Sequence, residues 1–232
     1  MFIRPQRDII YRDRNDAAER LAAALARYRG QHVLVAAIPR GAVPMAAIIA
    51  RALDGDLDVV LVRKLGAPGS PEFAIGAVDE TGWSYIADYA EAAGASRAYI
   101  DSEIADQLAT IRERRALYTP ARAPLDPSGR VVIVVDDGLA TGATMVAALH
   151  AMRARKPKRL VCAVPVASQD ALAKVREHAD EVVCLQAPEF FHAVGQFYAS
   201  FPQVSDDEVV ALLRSGTARG GPSDRATNGE VA

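Results

Sequence analysis

Residues 131–149, VVIVVDDGLATGATMVAAL, hold the densest set of chemistry-bearing positions in this chain. A continuous apolar run ends on two adjacent carboxylates, Asp136 and Asp137. Ala140, Thr141, Gly142, Ala143 and Thr144 follow, and then a helical pattern resumes. At a helix start the first backbone N–H groups lack intrahelical acceptors and the helix dipole is positive. Small residues let an anion approach those amides, and the two threonines add hydroxyl donors, so the turn reads as a phosphate cradle. It is not a Walker loop, since Gly-Lys-Ser/Thr is missing, and no GxGxxG fingerprint is present. Two acids beside a phosphate make sense when they accept hydrogen bonds from vicinal hydroxyls of a sugar that carries it. Their negative charge also favours positive charge developing on the ring. The pattern points to a phosphorylated ribose.

These residues need a scaffold that places them at a strand end, because ligands in open parallel sheets lie beyond the carboxyl ends of the strands. The apolar periodicity supplies one. Residues 15–30 read as an amphipathic helix, with Asp16 and Glu19 at capping-box spacing and Gly30 as a stop. Residues 32–38 and 58–65 read as buried strands, with a helix at 45–53 between them. The Gly- and Pro-rich GAPGSPEF is a loop, and residues 74–78 and 83–86 pair as a short hairpin. A long helix spans 96–117, with Ile100, Ile104, Leu108 and Ile111 on one stripe. After a Pro-rich link come a strand at 130–135, a helix to about residue 154, the strand RLVCAVPV, a helix at 168–178 and the strand EVVCLQ. Apolar strands alternating with helices predict an α/β fold, a mostly parallel sheet with helices on both faces. Residues 1–214 form one domain in this reading. Residues 187–204, aromatic-rich and irregular, make a small variable hood. Ser205 and Glu208 cap a last helix, and residues 215–232 are expected to be a disordered tail.

Lysine plus arginine total 27 and aspartate plus glutamate 29, a net charge of -2, which argues against a protein that coats nucleic acid. No apolar run is long enough to span a membrane. The first residues have no apolar core of the kind a secretory signal needs. Cys162 and Cys184 sit in strand-like runs and read as reduced core thiols. The expectation is a cytoplasmic protein with no nucleic-acid or membrane partner.

VVIVVDDGLATGATM resembles the phosphoribosyl pyrophosphate (PRPP) signature of type I phosphoribosyltransferases, and most nearly the adenine version, DDLLATGGTM. Two further segments agree. AAIPRGAVPMA, with Arg40 and Gly41, is similar to the loop that holds pyrophosphate. VRKLGAPGSPEF, with Arg63 and Lys64, is similar to the family's second strand and mobile loop. The full layout, including the leading FIRPQRDIIYRDRNDAAERLA, looks like a group of bacterial phosphoribosyltransferases with no assigned acceptor. The resemblance implies transfer of ribose 5-phosphate from PRPP to a nitrogenous, nucleobase-like acceptor, with inversion at the anomeric carbon and release of pyrophosphate. It implies Arg40, Gly41, Arg63, Lys64, Asp136, Asp137 and residues 140–144 as the PRPP site, with Asp136, Asp137 and Lys64 catalytic. Mg2+ would come with PRPP. No direct protein ligand to it is expected, and Asp136 and Asp137 would meet it through water.

Two departures matter. Ala140 stands where oxopurine salvage enzymes carry an aspartate that handles the proton of the base. Gly138 and Ala143 replace Leu and Gly of the adenine version. The acceptor side is carried by Phe190, Phe191, Phe197, Tyr198 and Phe201, with Phe191 the stacking candidate. His192, Glu72, Asp79 and Glu80 are candidates for handling the acceptor's proton. His32, His150 and His178 are assigned no role. Two alternatives stay open: a non-nucleobase acceptor in a specialised pathway, and a PRPP-binding regulator without turnover. Relatives are often dimers, so a homodimer is implied, although no surface in the sequence specifies it.

Overall fold

A computed structural model describes residues 10–120 and 124–216. Five strands build the main sheet: β1 (Leu34–Ala37), β2 (Asp56–Val59), β6 (Val131–Val135), β7 (Arg159–Val166) and β8 (Glu181–Gln186). Their order is β2-β1-β6-β7-β8, and every pairing is parallel. Side chains alternate across a strand, and the two faces separate accordingly. Val35, Ala37, Ile133, Val135 and Val161 enter one core with α1 (Arg14–Ala24) and α2 (Ala42–Leu53). Leu34, Ala36, Val132, Val134 and Cys162 enter the other, with α4 (Ala143–Ala154) and α5 (Gln169–Arg176). Both faces are therefore covered, which is why the strands read as unbroken apolar runs.

Chain order reverses between β1 and β6, so the loops after these two neighbours diverge and open a crevice. The register Ala37↔Val135 sets residues 38–41 beside Asp136 and Asp137, and Ile38 N–H donates to Val135 C=O at 3.0 Å.

The expected strand at 58–65 is two strands. β2 ends at Val59, and β3 (Val62–Ala67) joins β4 (Ser70–Asp79) and β5 (Ser84–Ile86) in a separate antiparallel sheet. The apolar run Val59-Val60-Leu61-Val62 continues through the break, so composition does not mark the change of sheet. The expected loop GAPGSPEF is mostly the end of β3 and the start of β4, joined by a turn. Helix α1 also differs from expectation. Asp13 is its N-cap, accepting from the Asp16 N–H at 2.9 Å, and it stops at Ala24 before a short 3-10 turn, Ala26–Tyr28. The α3 helix (Arg97–Tyr118) matches closely, capped by Ser96. α6 (Asp206–Gly216) has the expected reciprocal cap: Glu208 N–H donates to Ser205 Oγ and Ser205 N–H to Glu208 Oε2. It reaches two residues into the segment expected as tail. The remainder of that segment, 217–232, lies outside the described residues, as do residues 1–9.

The hood segment does not stand alone. Ile10 and Tyr11 N–H groups donate to Phe197 C=O, and Ala199 and Ser200 N–H groups return to the carbonyls of Tyr11 and Arg12. The segment before α1 is thereby sewn to the hood. Phe197 and Tyr198 are buried in the core, and Phe191 packs on Phe197 with ring centroids 5.1 Å apart. Phe190 is exposed. At Gly138 the hood meets the loop after β6. A Cβ there would lie 2.6 Å from Val194 Cγ1 and 3.1 Å from Val166 Cγ1. The glycine is thus needed for close approach, and the leucine of the adenine motif has no room.

Gly138→Leu should therefore destabilise the fold by about 1–3 kcal/mol through overpacking. Adding Val194→Ala should recover part of that loss in thermal unfolding. Equal stability of the single variant and the parent would contradict the Gly138–Val194 contact.

Candidate active site

A cavity of about 280 Å³ lies at the crevice, walled by the loop after β6, the turn after β1 and Lys64 of β3. Asp136 and Asp137 form part of its lining. So do Gly41, Ala140, Thr141, Gly142 and Thr144. From the hood only Val194 reaches it.

The cradle is built from an unfinished helix end. Gly142 is the N-cap of α4, and no side chain caps it. The loop's carbonyls are engaged elsewhere. Leu139 C=O accepts from Ser168 N–H, Ala140 C=O from Ser168 Oγ at 2.7 Å, and Thr141 C=O from Lys174 Nζ at 3.5 Å. With the carbonyls drawn toward α5, the positive end of α4 is left for an anion. Ala143, expected in the PRPP site, does not line the cavity. Its side chain is buried against Ala77 and Ala147.

Each carboxylate of the acid pair has one oxygen engaged. Asp136 Oδ1 accepts from the Asp137 N–H at 2.9 Å. Asp137 Oδ2 accepts from Arg14 Nε at 3.0 Å and Nη2 at 2.8 Å. Burial pushes the Asp136 carboxyl well above the usual range; the neighbouring Asp137 adds to the shift, and Lys64 and Arg14 oppose it. Burial also raises Asp137, against the pull of Arg14. The Tyr198 hydroxyl donates to Asp137 C=O at 2.7 Å, and burial holds that phenol protonated far above its ordinary range.

In the turn after β1, the Pro39–Arg40 peptide is cis. A side chain at Gly41 would collide with Asp137 Oδ2 and come within 3.0 Å of Arg14 Nη2, so the close approach of turn and acid requires glycine.

Of the residues singled out from sequence, Gly41, Lys64, Asp136, Asp137, Ala140, Thr141, Gly142 and Thr144 come together around the cavity. Arg40, Arg63 and Phe191 do not line it. Arg40 points to Asp206 of α6, Nη1 to Oδ2 3.7 Å. Arg63 Nε donates to Gln107 Oε1 at 2.8 Å, and burial lowers its pKa. Phe191 is taken up by Phe197. The candidates for handling the acceptor's proton are also engaged elsewhere or outside the cavity lining. Asp79 is fully buried and accepts from Thr81 and Trp83. Glu80 pairs with Arg115 at 2.8 Å. His192 is exposed beside Gln196, and Glu72 is exposed on β4. His150, assigned no role, stacks on Trp83 at 3.6 Å and faces Asp79 at 3.4 Å.

Sequence reasoning missed Arg14, the Tyr198 hydroxyl contact and Val194 as a wall. Arg14 is one of several arginines in the leading segment, and its partner is 123 positions away. No local spacing could single it out. Among the described residues no group of three or more His, Cys, Asp or Glu is placed to hold a metal. Asp136 Oδ2 and Asp137 Oδ1, the hard oxygens that these bonds leave over, fit a hydrated hard cation that comes with a ligand.

The acid pair also sets a stability expectation. A carboxyl whose folded pKa is raised destabilises the fold as pH climbs above the unfolded value, about 4, and the cost levels off above the folded pKa. Asp136→Asn removes that charge and keeps an acceptor for the Asp137 N–H. Its melting temperature at neutral pH should match or exceed the parent's, with the gap closing on acidification. A clear drop at neutral pH would contradict the burial penalty.

Residues 6–202 match the family model described as the phosphoribosyl transferase domain. Two Mycobacterium tuberculosis proteins, from strains H37Rv and CDC 1551, each named "Putative phosphoribosyl transferase", are 42% identical over 205 residues. The alignment covers 88% of this chain and 46% of each relative, so the chain spans about half the length of the curated relatives it matches. The crystal structure of TT1426 from Thermus thermophilus is similar with a TM-score of 0.74 and 45% identity, covering 88% of this chain and 98% of that one. This chain belongs to the phosphoribosyl transferase domain family.

Proposed function

We propose that the chain transfers ribose 5-phosphate from PRPP, bound with Mg2+, to a nitrogenous acceptor of nucleobase type and releases pyrophosphate. The observation that carries this reading is the meeting of three features in one cavity: the uncapped α4 start, the acid pair and the turn at residues 39–41 beside Lys64. In this reading the 5-phosphate binds the amides of residues 140–144 and the Thr141 and Thr144 hydroxyls. Asp136 and Asp137 accept from the ring hydroxyls. Their charge favours an oxocarbenium-like ring in the transition state. Lys64 offsets charge on the departing pyrophosphate. Asp136 and Asp137 would meet Mg2+ through water, and the ion would supply charge compensation for the leaving pyrophosphate. Positioning and electrostatics supply the rate, because the chain has little covalent work to do. The reading places this chemistry in the cytoplasm, as part of nucleotide metabolism.

One observation favours a second reading of the acceptor. The hood sends Val194, and no aromatic ring, into the cavity. An amine or sugar hydroxyl would need no stacking partner.

Pyrophosphate release should appear with PRPP, Mg2+ and one member of a panel of bases, amines and sugar hydroxyls. Thr144→Ala should weaken PRPP binding by about 1.5–3 kcal/mol, one hydrogen bond to a charged group. Binding without release across the panel would favour a PRPP-sensing role, and neither binding nor release would overturn the proposal.

A further inference from the structure

Arg14 meets Asp137 in an unusual way. A guanidinium that merely neutralises a carboxylate commonly forks across both of its oxygens. Here Nε and Nη2 both address Oδ2, at 3.0 and 2.8 Å, and no side chain among the described residues donates to Oδ1. Asp136 likewise has Oδ1 engaged by a backbone amide and Oδ2 left over. The pair therefore offers two oxygens, one from each residue, to two neighbouring donors.

Arg14 is itself fixed by the hood. Its Nη1 donates to Pro202 C=O at 2.6 Å, and its guanidinium lies 3.7 Å from the centre of the Phe201 ring. Phe201 in turn packs on Tyr198 with ring centroids 4.8 Å apart, and Tyr198 holds the Asp137 carbonyl. A ring of contacts thus closes from the Asp137 carboxylate through Arg14, Phe201 and Tyr198 back to the Asp137 main chain. A Cβ at Gly41 would collide with the same oxygen, so the turn after β1 leaves room for this pairing only as glycine. The Arg14 and Asp137 side chains are 11% and 17% exposed, so water has little access to compete for this pairing.

We propose that Arg14 is a positioning residue for the donor sugar. It turns Asp137 so that Oδ1, with Asp136 Oδ2, meets two ring hydroxyls, and its seat on Phe201 and Pro202 makes donor binding answer to the placement of the hood. The inference rests on the PRPP reading above and extends it to a residue outside the PRPP motif.

Calorimetric titration of Mg-PRPP into the whole chain tests it, with melting temperatures recorded in parallel. Arg14→Gln should lose about ten- to a hundredfold in affinity, the range for one charge-assisted contact. Arg14→Lys, which restores the charge without the planar fork, should fall between the two. Because Arg14 acts through Asp137, adding Arg14→Gln to Asp137→Asn should cost little beyond Asp137→Asn alone. Phe201→Leu, outside the cavity, should also weaken binding. Folded Arg14→Gln binding like wild type would overturn the proposal, as would losses that multiply in the double variant. If Arg14→Gln does not fold, undiminished binding by both Arg14→Lys and Phe201→Leu overturns it. Wild type failing to bind Mg-PRPP would bring down the transferase reading and this one with it. Normal wild-type binding with unaffected variants would remove the Arg14 role alone.

Discussion

Two carboxylates side by side at the end of a buried strand repel each other and lose hydration, and much of the site is arranged around that cost. Burying a charge costs several kcal/mol per ion unless it is paired and hydrogen-bonded, by rough estimate. Asp136 receives a main-chain amide and the field of Lys64, while Asp137 receives a guanidinium. Neither arrangement saturates its carboxylate. A fold selected only for stability would replace the pair with apolar residues, which buried ion pairs often tolerate. Keeping them makes sense where a ligand's hydroxyls complete the set.

That constraint explains why two segments so far apart in the chain meet. Arg14 reaches Asp137 only because residues 10–12 pair with residues 197–200, bringing the start of α1 over the end of β6. The N-cap Asp13 fixes where that helix begins, one residue before Arg14. The aromatic hood residues then serve mainly as a platform, with Phe197 and Tyr198 turned inward and Phe201 beneath the guanidinium. Gly41 in the turn after β1 and Gly138 in the loop after β6 are the small-residue counterparts, where a side chain would push turn or hood away. The acid pair and the hood share the same few contacts.

The sheet and the turn at residues 140–144 were legible because their signals are local. β6, β7 and β8 are apolar runs with clear ends, and the small residues of 140–144 announce a close approach to main chain. The Ser205–Glu208 cap is a spacing rule obeyed by both side chains. Other features depend on distance. The β2–β3 break falls inside an unbroken apolar run. Arg40, adjacent to a site glycine, is drawn off by Asp206, 166 positions later. The pairing of Arg14 with Asp137 spans 123 positions, and nothing in either neighbourhood advertises it. Phe191 looked like a stacking platform because it is aromatic, but burial against Phe197 was available to it and contact with the cavity was not.

The central claim is geometric: one sugar phosphate spans the α4 start and the acid pair. A crystal structure of the chain grown with PRPP and Mg2+ tests it most directly. The account predicts the 5-phosphate within hydrogen-bonding distance of main-chain amides in residues 140–144, with two ring hydroxyls on Asp136 and Asp137. A phosphate bound elsewhere, or a ribose whose hydroxyls face away from both acids, would contradict it.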